Sequence, residues 1–187
     1  MLKYLYKLIE VVIVKTIILI FLLSFNIYAV DIQQDTLNSI SNYSIKIGKG
    51  KTNSVYVFVD PMCKYSRKLI KKIQQNKLLQ LINTYHVFLY RLPKYESDKL
   101  NQYIYQSPNK NKELLYIMTQ DIDFEMDLDL DDFETNDKTY KEMQEIASVA
   151  KGFKMTKRPY LIKFDNKTGY CIVSEGIANC MEEFDLD

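Results

Sequence analysis

Hydrophobic positions change their spacing several times along this chain, and each spacing predicts an element. From Asp31 to Ser41, Ile32, Leu37 and Ile40 stand at helical intervals in a polar setting, which predicts a short lead-in helix. Tyr43-Ser-Ile-Lys-Ile-Gly48 alternates, as a half-buried strand does. Gly48 to Asn53 reads as a turn. Val55-Tyr-Val-Phe-Val59 is a nearly continuous β-favouring run, the pattern of a strand buried on both faces. Asp60-Pro61 stops it. From Cys63 to Tyr85 the period becomes helical: Leu69, Ile70, Ile73, Leu78, Leu81 and Ile82 form an apolar stripe, with lysines and glutamines between. His86-Val-Phe-Leu-Tyr90 is a second buried strand. Strand, helix and strand at this spacing predict a parallel βαβ unit with a right-handed crossover.

The middle of the chain is helical in pattern. Two short helices, Ser97 to Gln106 and Asn109 to Thr119, are divided by Pro108. Asp121 to Asp132 places Asp or Glu at alternate positions. Asn136 to Lys151 reads as a third helix, closed by Gly152. Tyr160 to Phe164 and Tyr170 to Val173 form a hairpin around Asp165-Asn-Lys-Thr-Gly169. A last short helix is expected from Ile177 to Phe184. The order is βαβ, a helical insertion at about 95–151, then ββα. This predicts an α/β fold with one mixed central sheet covered by helices on both faces.

Residues 1–29 stand apart. Lys3, Lys7 and Lys15 give a positive start, Thr16 to Phe25 is an unbroken apolar run, and Ser24, Asn26 and Ala29 restore small or polar character. That layout is expected of a secretory signal. The strict apolar run is about half of the ~20 residues that span a bilayer. Counting from Leu8 makes it long enough, with Glu10 and Lys15 inside it, so an uncleaved membrane anchor stays open. The junction has no nearby Cys, which argues against a lipoprotein anchor. The expected organisation is 1–29 as signal or anchor, 30–53 as lead-in helix and strand, and 54–187 as the main domain.

Composition changes this picture little. The chain has 187 residues, is 47% hydrophobic and 26% charged, and can build a sizeable core. A net charge of +1 gives no electrostatic case for a nucleic-acid partner. No ligand cluster suggests zinc, no cofactor is expected, and the alternating acids of Asp121 to Asp132 lack the Gly of an EF-hand loop. The lone His86 opens a strand and reads as structural.

The candidate chemistry lies at Cys63-Lys64-Tyr65-Ser66, where the first buried strand hands over to its helix. Sites in open α/β sheets favour the carboxyl ends of strands. A Cys in the first helical turn faces unpaired backbone N–H groups and the positive end of the helix dipole, which favour a thiolate. Lys64 adds a nearby positive charge. The thiolate is the attacking species in disulfide exchange. Ser66 cannot resolve a mixed disulfide as a second Cys would, but its hydroxyl can donate to the thiolate. Release then needs another thiol, either in the substrate or in a small molecule. Thr156-Lys-Arg-Pro159 precedes a buried strand; a cis Arg158–Pro159 bond would let this loop lie beside Cys63 and offer backbone to a substrate strand.

With these motifs in place, the stretch Val57-Phe-Val-Asp-Pro-Met-Cys-Lys-Tyr-Ser-Arg-Lys-Leu69 resembles the active-site strand and helix of bacterial periplasmic disulfide isomerases, the DsbC/DsbG group. Val87 to Pro93 followed by Ser97-Asp98 is similar to their strand and helical insertion, and Phe153 to Leu161 to their cis-proline segment. The resemblance spans roughly residues 43–184. It implies a thioredoxin-like fold, Cys63 as nucleophile and Pro159 as the cis-proline. Lys64, Tyr65, Arg158 and Pro159, which flank that cysteine in the expected site, are expected to contact substrate. Two departures stand out. Ser66 replaces the resolving Cys, and Val30 to Tyr43 is too short for the N-terminal dimerisation domain of that group.

Three functional readings follow. One is thiol–disulfide exchange in the cell envelope on proteins with cysteines or disulfides, with a membrane redox partner as a further option. Another is a non-catalytic thioredoxin-like module binding an envelope protein. The third is a monothiol protein that reduces or deglutathionylates client cysteines. A catalyst needs an exposed, reactive Cys63; a binding module tolerates its loss. Cys171 and Cys180 are expected to form a structural disulfide in an oxidising compartment, with free thiols or a second redox pair as alternatives.

Overall fold

A computed structural model of the chain describes residues 34–120, 130, 133–169 and 171–175. The N-terminal segment 1–29, the acidic stretch apart from Leu130, the expected last helix and Cys180 lie outside the described residues. The described elements are α1 (Gln34–Ser39), a 3-10 turn (Ser41–Tyr43), β1 (Ile45–Ile47), β2 (Asn53–Val59), α2 (Lys64–Gln75), α3 (Lys77–Ile82) and β3 (Asn83–Leu89). They continue with α4 (Asp98–Gln106), α5 (Lys110–Thr119), α6 (Asp137–Gly152), β4 (Tyr160–Asp165) and β5 (Cys171–Glu175). No helix among them is long and apolar enough to cross a membrane.

The five strands form one sheet in the order β1-β3-β2-β4-β5. β2 and β3 are parallel, with Val57 opposite Val87, and every other pairing is antiparallel. This is the thioredoxin-like arrangement: a parallel βαβ half joined to an antiparallel hairpin half, with helices α4 to α6 inserted between them. β2 pairs along both edges, with β3 and β4, and its side chains are buried on both faces of the sheet. That is why it reads as an almost continuous apolar run. On one face Tyr56 stacks on His86 and Phe88 and meets Phe164 edge-on. Val55, Val57 and Val59 point to the opposite face from Tyr56 and are fully buried.

The expected single helix from Cys63 to Tyr85 is two helices. Asn76 adopts extended backbone, ends α2, and turns its side chain to accept the Leu79 N–H at 3.1 Å, which starts α3. This break changes which leucines face the core. Leu79 is buried, whereas Leu78 and Leu81, counted in the apolar stripe, are 53% and 74% exposed. β3 then starts three residues earlier than expected, at Asn83, because Asn83 pairs with Asn53 through a side-chain bond of 2.7 Å and Tyr85 is fully buried. Gly50 crosses beneath this junction so closely that a Cβ there would sit 2.1 Å from the Ile82 carbonyl carbon.

The insertion follows the sequence pattern, with caps marking its helix starts. Asn109 accepts from the Lys112 N–H and opens α5; Asn136 accepts from the Thr139 N–H and opens α6. The β4–β5 turn is organised by Asp165, whose carboxylate accepts the Lys167 and Thr168 N–H groups, while Gly169 takes positive φ. Those two backbone donors, Thr168 first, hold the Asp165 carboxyl below its ordinary range.

Candidate active site

The loop from Asp60 to Cys63 is fixed from below by one buried carboxylate. Asp60 Oδ1 accepts the Met62 N–H at 2.8 Å, and Oδ2 accepts the Leu92 N–H at 2.6 Å and the Ser97 hydroxyl at 3.1 Å. The Asp60 backbone contributes as well: its carbonyl accepts the Cys63 N–H and its own N–H donates to Ser66 Oγ at 3.2 Å. Tyr90 N–H donates to the Val59 carbonyl, which carries the β2–β3 ladder up to the loop. Arg67 reaches back from α2 to the Pro61 and Gln120 carbonyls. The end of β2, the start of α2 and the segment after β3 therefore meet at Asp60.

Cys63 is the N-cap of α2, with extended backbone and a carbonyl that accepts the Arg67 N–H. Its sulfur faces the segment before β4. The Cys63 thiol donates to the Arg158 carbonyl at 3.7 Å, and the Arg158–Pro159 peptide is cis. Both residues are buried, so the two motifs separated by 95 positions in the sequence are brought into contact. Cys63 is only 2% exposed, in contrast to the exposed thiol a catalyst needs, because the Arg158 backbone lies across its sulfur. It nonetheless forms part of the wall of a cavity of about 560 Å³. Tyr65, Leu92, Pro93, Lys94, Thr156, Lys157 and Arg158 complete the lining.

The other expected site residues divide. Lys64 and Tyr65 are exposed, and the Lys64 ammonium lies 5.0 Å from the centre of the Tyr65 ring. Met62 beside them is exposed too. Ser66 is fully buried and its hydroxyl oxygen accepts the Asp60 N–H, so that this group is turned to the loop backbone and not, as expected, to the Cys63 sulfur. The Arg158 side chain turns inward, 4% exposed overall, with Nε donating to the Tyr90 carbonyl at 3.0 Å and the guanidinium 4.1 Å over the Tyr90 ring. Burial pushes the Arg158 guanidinium below its ordinary pKa, with Tyr90, Asp60 and Cys63 acting in the opposite direction. What Arg158 offers to the cavity edge is therefore its backbone, while its side chain clamps the segment to β3.

Cys171 sits on β5 as a free, half-buried thiol, and burial raises its pKa. Its expected partner, Cys180, lies outside the described residues. His86 lies within the sheet against Tyr56, with Nδ1 at 3.1 Å from the Ser44 hydroxyl. Burial, and then Lys46, lower its pKa to about 4. Among the described residues no group of three or more His, Cys, Asp or Glu side chains converges.

Sequence reasoning missed Asp60, Tyr90 and the Leu92-Pro93-Lys94 segment. Asp60 was legible only as the stop of a strand. Asp followed by Pro does favour a side-chain-bonded turn, but the burial of its carboxylate under the next strand's loop is a tertiary fact.

No family model matches the chain, and no curated protein matches it. Solved structures do. A disulfide interchange protein from Neisseria gonorrhoeae is 16% identical with a TM-score of 0.53, covering 76% of this chain and 91% of that one. The catalytic domain of Proteus mirabilis ScsC is 15% identical with a TM-score of 0.53, covering 80% and 93%. Proteus mirabilis ScsC in a compact conformation is 16% identical with a TM-score of 0.52, covering 76% and 78%. At these identities the likeness establishes the thioredoxin-like fold. It does not reach the narrower DsbC/DsbG resemblance.

Proposed function

We propose that this chain carries out thiol–disulfide exchange on protein substrates in the cell envelope, with Cys63 as its nucleophile. The carrying observation is the placement of Cys63: a helix N-cap, against the carbonyl before a cis-proline, in the wall of a cavity. Solved structures of the same fold include a disulfide interchange protein and the catalytic domain of Proteus mirabilis ScsC, which supports this reading.

In the exchange, the Cys63 thiolate bonds to one sulfur of a substrate disulfide. The substrate S–S bond breaks, and the second sulfur leaves as a thiolate that takes up a proton. Because Ser66 holds no thiol, release comes from elsewhere. A second substrate cysteine gives isomerisation, of the kind the DsbC/DsbG resemblance implies; a small thiol gives reduction. Since the Arg158 carbonyl covers the sulfur, the substrate displaces that contact on entry and pairs with the backbone at Arg158 and Pro159. Lys64 and Tyr65 border the entrance. On oxidation Cys171, a free thiol in this structure, pairs with Cys180 as a structural disulfide, and residues 1–29 direct export or anchor the chain.

One observation favours a second reading. A thiol only 2% exposed suits a non-catalytic module that binds an envelope partner. The test is isomerisation of a scrambled-disulfide protein by the full chain with a small thiol present, compared with Cys63→Ser. Recovery of native disulfides that disappears in Cys63→Ser supports exchange. Equal, negligible recovery by both chains rejects it in favour of the module.

A further inference from the structure

Residues 44–95 carry eleven Lys and Arg against a single acidic residue, Asp60, whereas residues 96–187 carry eleven basic against twenty acidic. Asp60 is fully buried, with its carboxylate taken up by Met62, Leu92 and Ser97. Among charged side chains, the segment that holds Cys63 therefore contributes only basic ones to the surface. The cavity beside the thiol repeats that sign at close range. Lys94 enters its lining from the segment after β3 and Lys157 from the segment before β4, and among the described residues no Asp or Glu lines it. Both lysines are exposed. Their backbones are fixed, that of Lys94 by the nearby Asp60–Leu92 bond and that of Lys157 by an Arg158 Nη1 bond of 2.6 Å to its carbonyl. Two carboxylates follow this segment, the exposed Glu96 and Asp98, which is paired with Arg91 at 2.6 Å; neither enters the cavity lining.

We infer that the Cys63 cavity selects disulfides whose flanking groups carry carboxylates, so that its substrates are acidic cysteine-containing segments. This rests on the exchange reading. Lys94 and Lys157 are specificity-determining residues that face the substrate arms, with the exposed Lys64 close by at the start of α2. Tyr65, Leu92 and Pro93, also in the lining, supply apolar contact between the charges.

The experiment uses the full chain, reduced, at low ionic strength. Three small disulfides are the probes: anionic glutathione disulfide, neutral hydroxyethyl disulfide and cationic cystamine. In each case the Cys63 thiolate bonds to one probe sulfur, the probe S–S bond breaks, and the other half leaves as a thiolate that is protonated by water. Mixed-disulfide formation at Cys63 is followed by peptide mapping. Each rate is divided by that of the same probe with a short cysteine peptide, which removes intrinsic reactivity. The expected order is anionic, neutral, cationic, with the outer two separated by about threefold or more, and compressed by added salt. Lys94→Gln/Lys157→Gln should collapse the order. Equal normalised rates, a preference for cystamine, or an order unchanged in the double variant would overturn the charge selection and leave Cys63 exchange standing. Absence of labelling at Cys63 by all three probes would instead reject the exchange reading, and the selectivity with it.

Discussion

The Asp60 carboxylate accepts the Leu92 N–H at 2.6 Å across two segments 32 residues apart, and in doing so sets one wall of the Cys63 cavity. Replacing it tests that role. Asp60→Asn keeps the shape but turns one acceptor into a donor facing N–H or O–H groups. Its expected cost is about 1–3 kcal/mol in urea unfolding. Asp60→Ala strips three donors of their partner and should cost more. An Asn variant as stable as the parent would mean that the carboxylate does not organise the loop.

Arg158 is expected to act as a clamp. Arg158→Leu removes the stack on Tyr90 and leaves the Tyr90 carbonyl without its donor, at about 1–3 kcal/mol. Because the same segment covers Cys63, alkylation of that thiol should quicken in the variant. Unchanged alkylation, with the expected loss of stability, would show that access is governed elsewhere.

The split of the expected helix at Asn76 has a stability signature. Leu79→Ala should cost about 2–4 kcal/mol, since Leu79 is 2% exposed. Leu81→Ala, at 74% exposure, should fall within about 0.5 kcal/mol of the parent. Asn76→Ala should cost about 1 kcal/mol through its lost cap. A continuous helix with the sequence-derived stripe would instead make Leu81 the costly position.

His86 predicts a pH dependence. Its folded pKa is about 4 against an ordinary 6.5, so between those values the unfolded chain binds the extra proton. Stability is therefore highest above about pH 6.5 and declines as pH falls toward 4. Discounted for the partial exposure of the ring, the loss should be about 1–2 kcal/mol. The Asp165 contribution, with its pKa lowered from 3.8, is lost only at lower pH and does not overlap this window. Urea midpoints at pH 7.5 and 5 measure the effect, and His86→Phe, which keeps an aromatic stack on Tyr56, should flatten it.

Much of this molecule was determined by local sequence. The two buried strands, the helical period after Cys63, the Pro108 break and the β4–β5 turn are set by side-chain periodicity and turn chemistry, which act over a few residues. So is the position of Cys63 at the start of a helix. What the tertiary structure alone decided are the contacts between distant segments. The Arg158 carbonyl lies on the Cys63 sulfur, the Arg158 guanidinium turns inward to Tyr90, and the Asp60 carboxylate is sealed beneath Leu92. The helix break belongs to both levels: Asn76 is a capping residue type visible in the sequence, but Leu78 and Leu81 fitted the stripe equally well on paper. Periodicity states which residues share a face of one element. Which face is covered, and which polar group finds a partner there, depends on the sheet order that brings β2, β3 and β4 together.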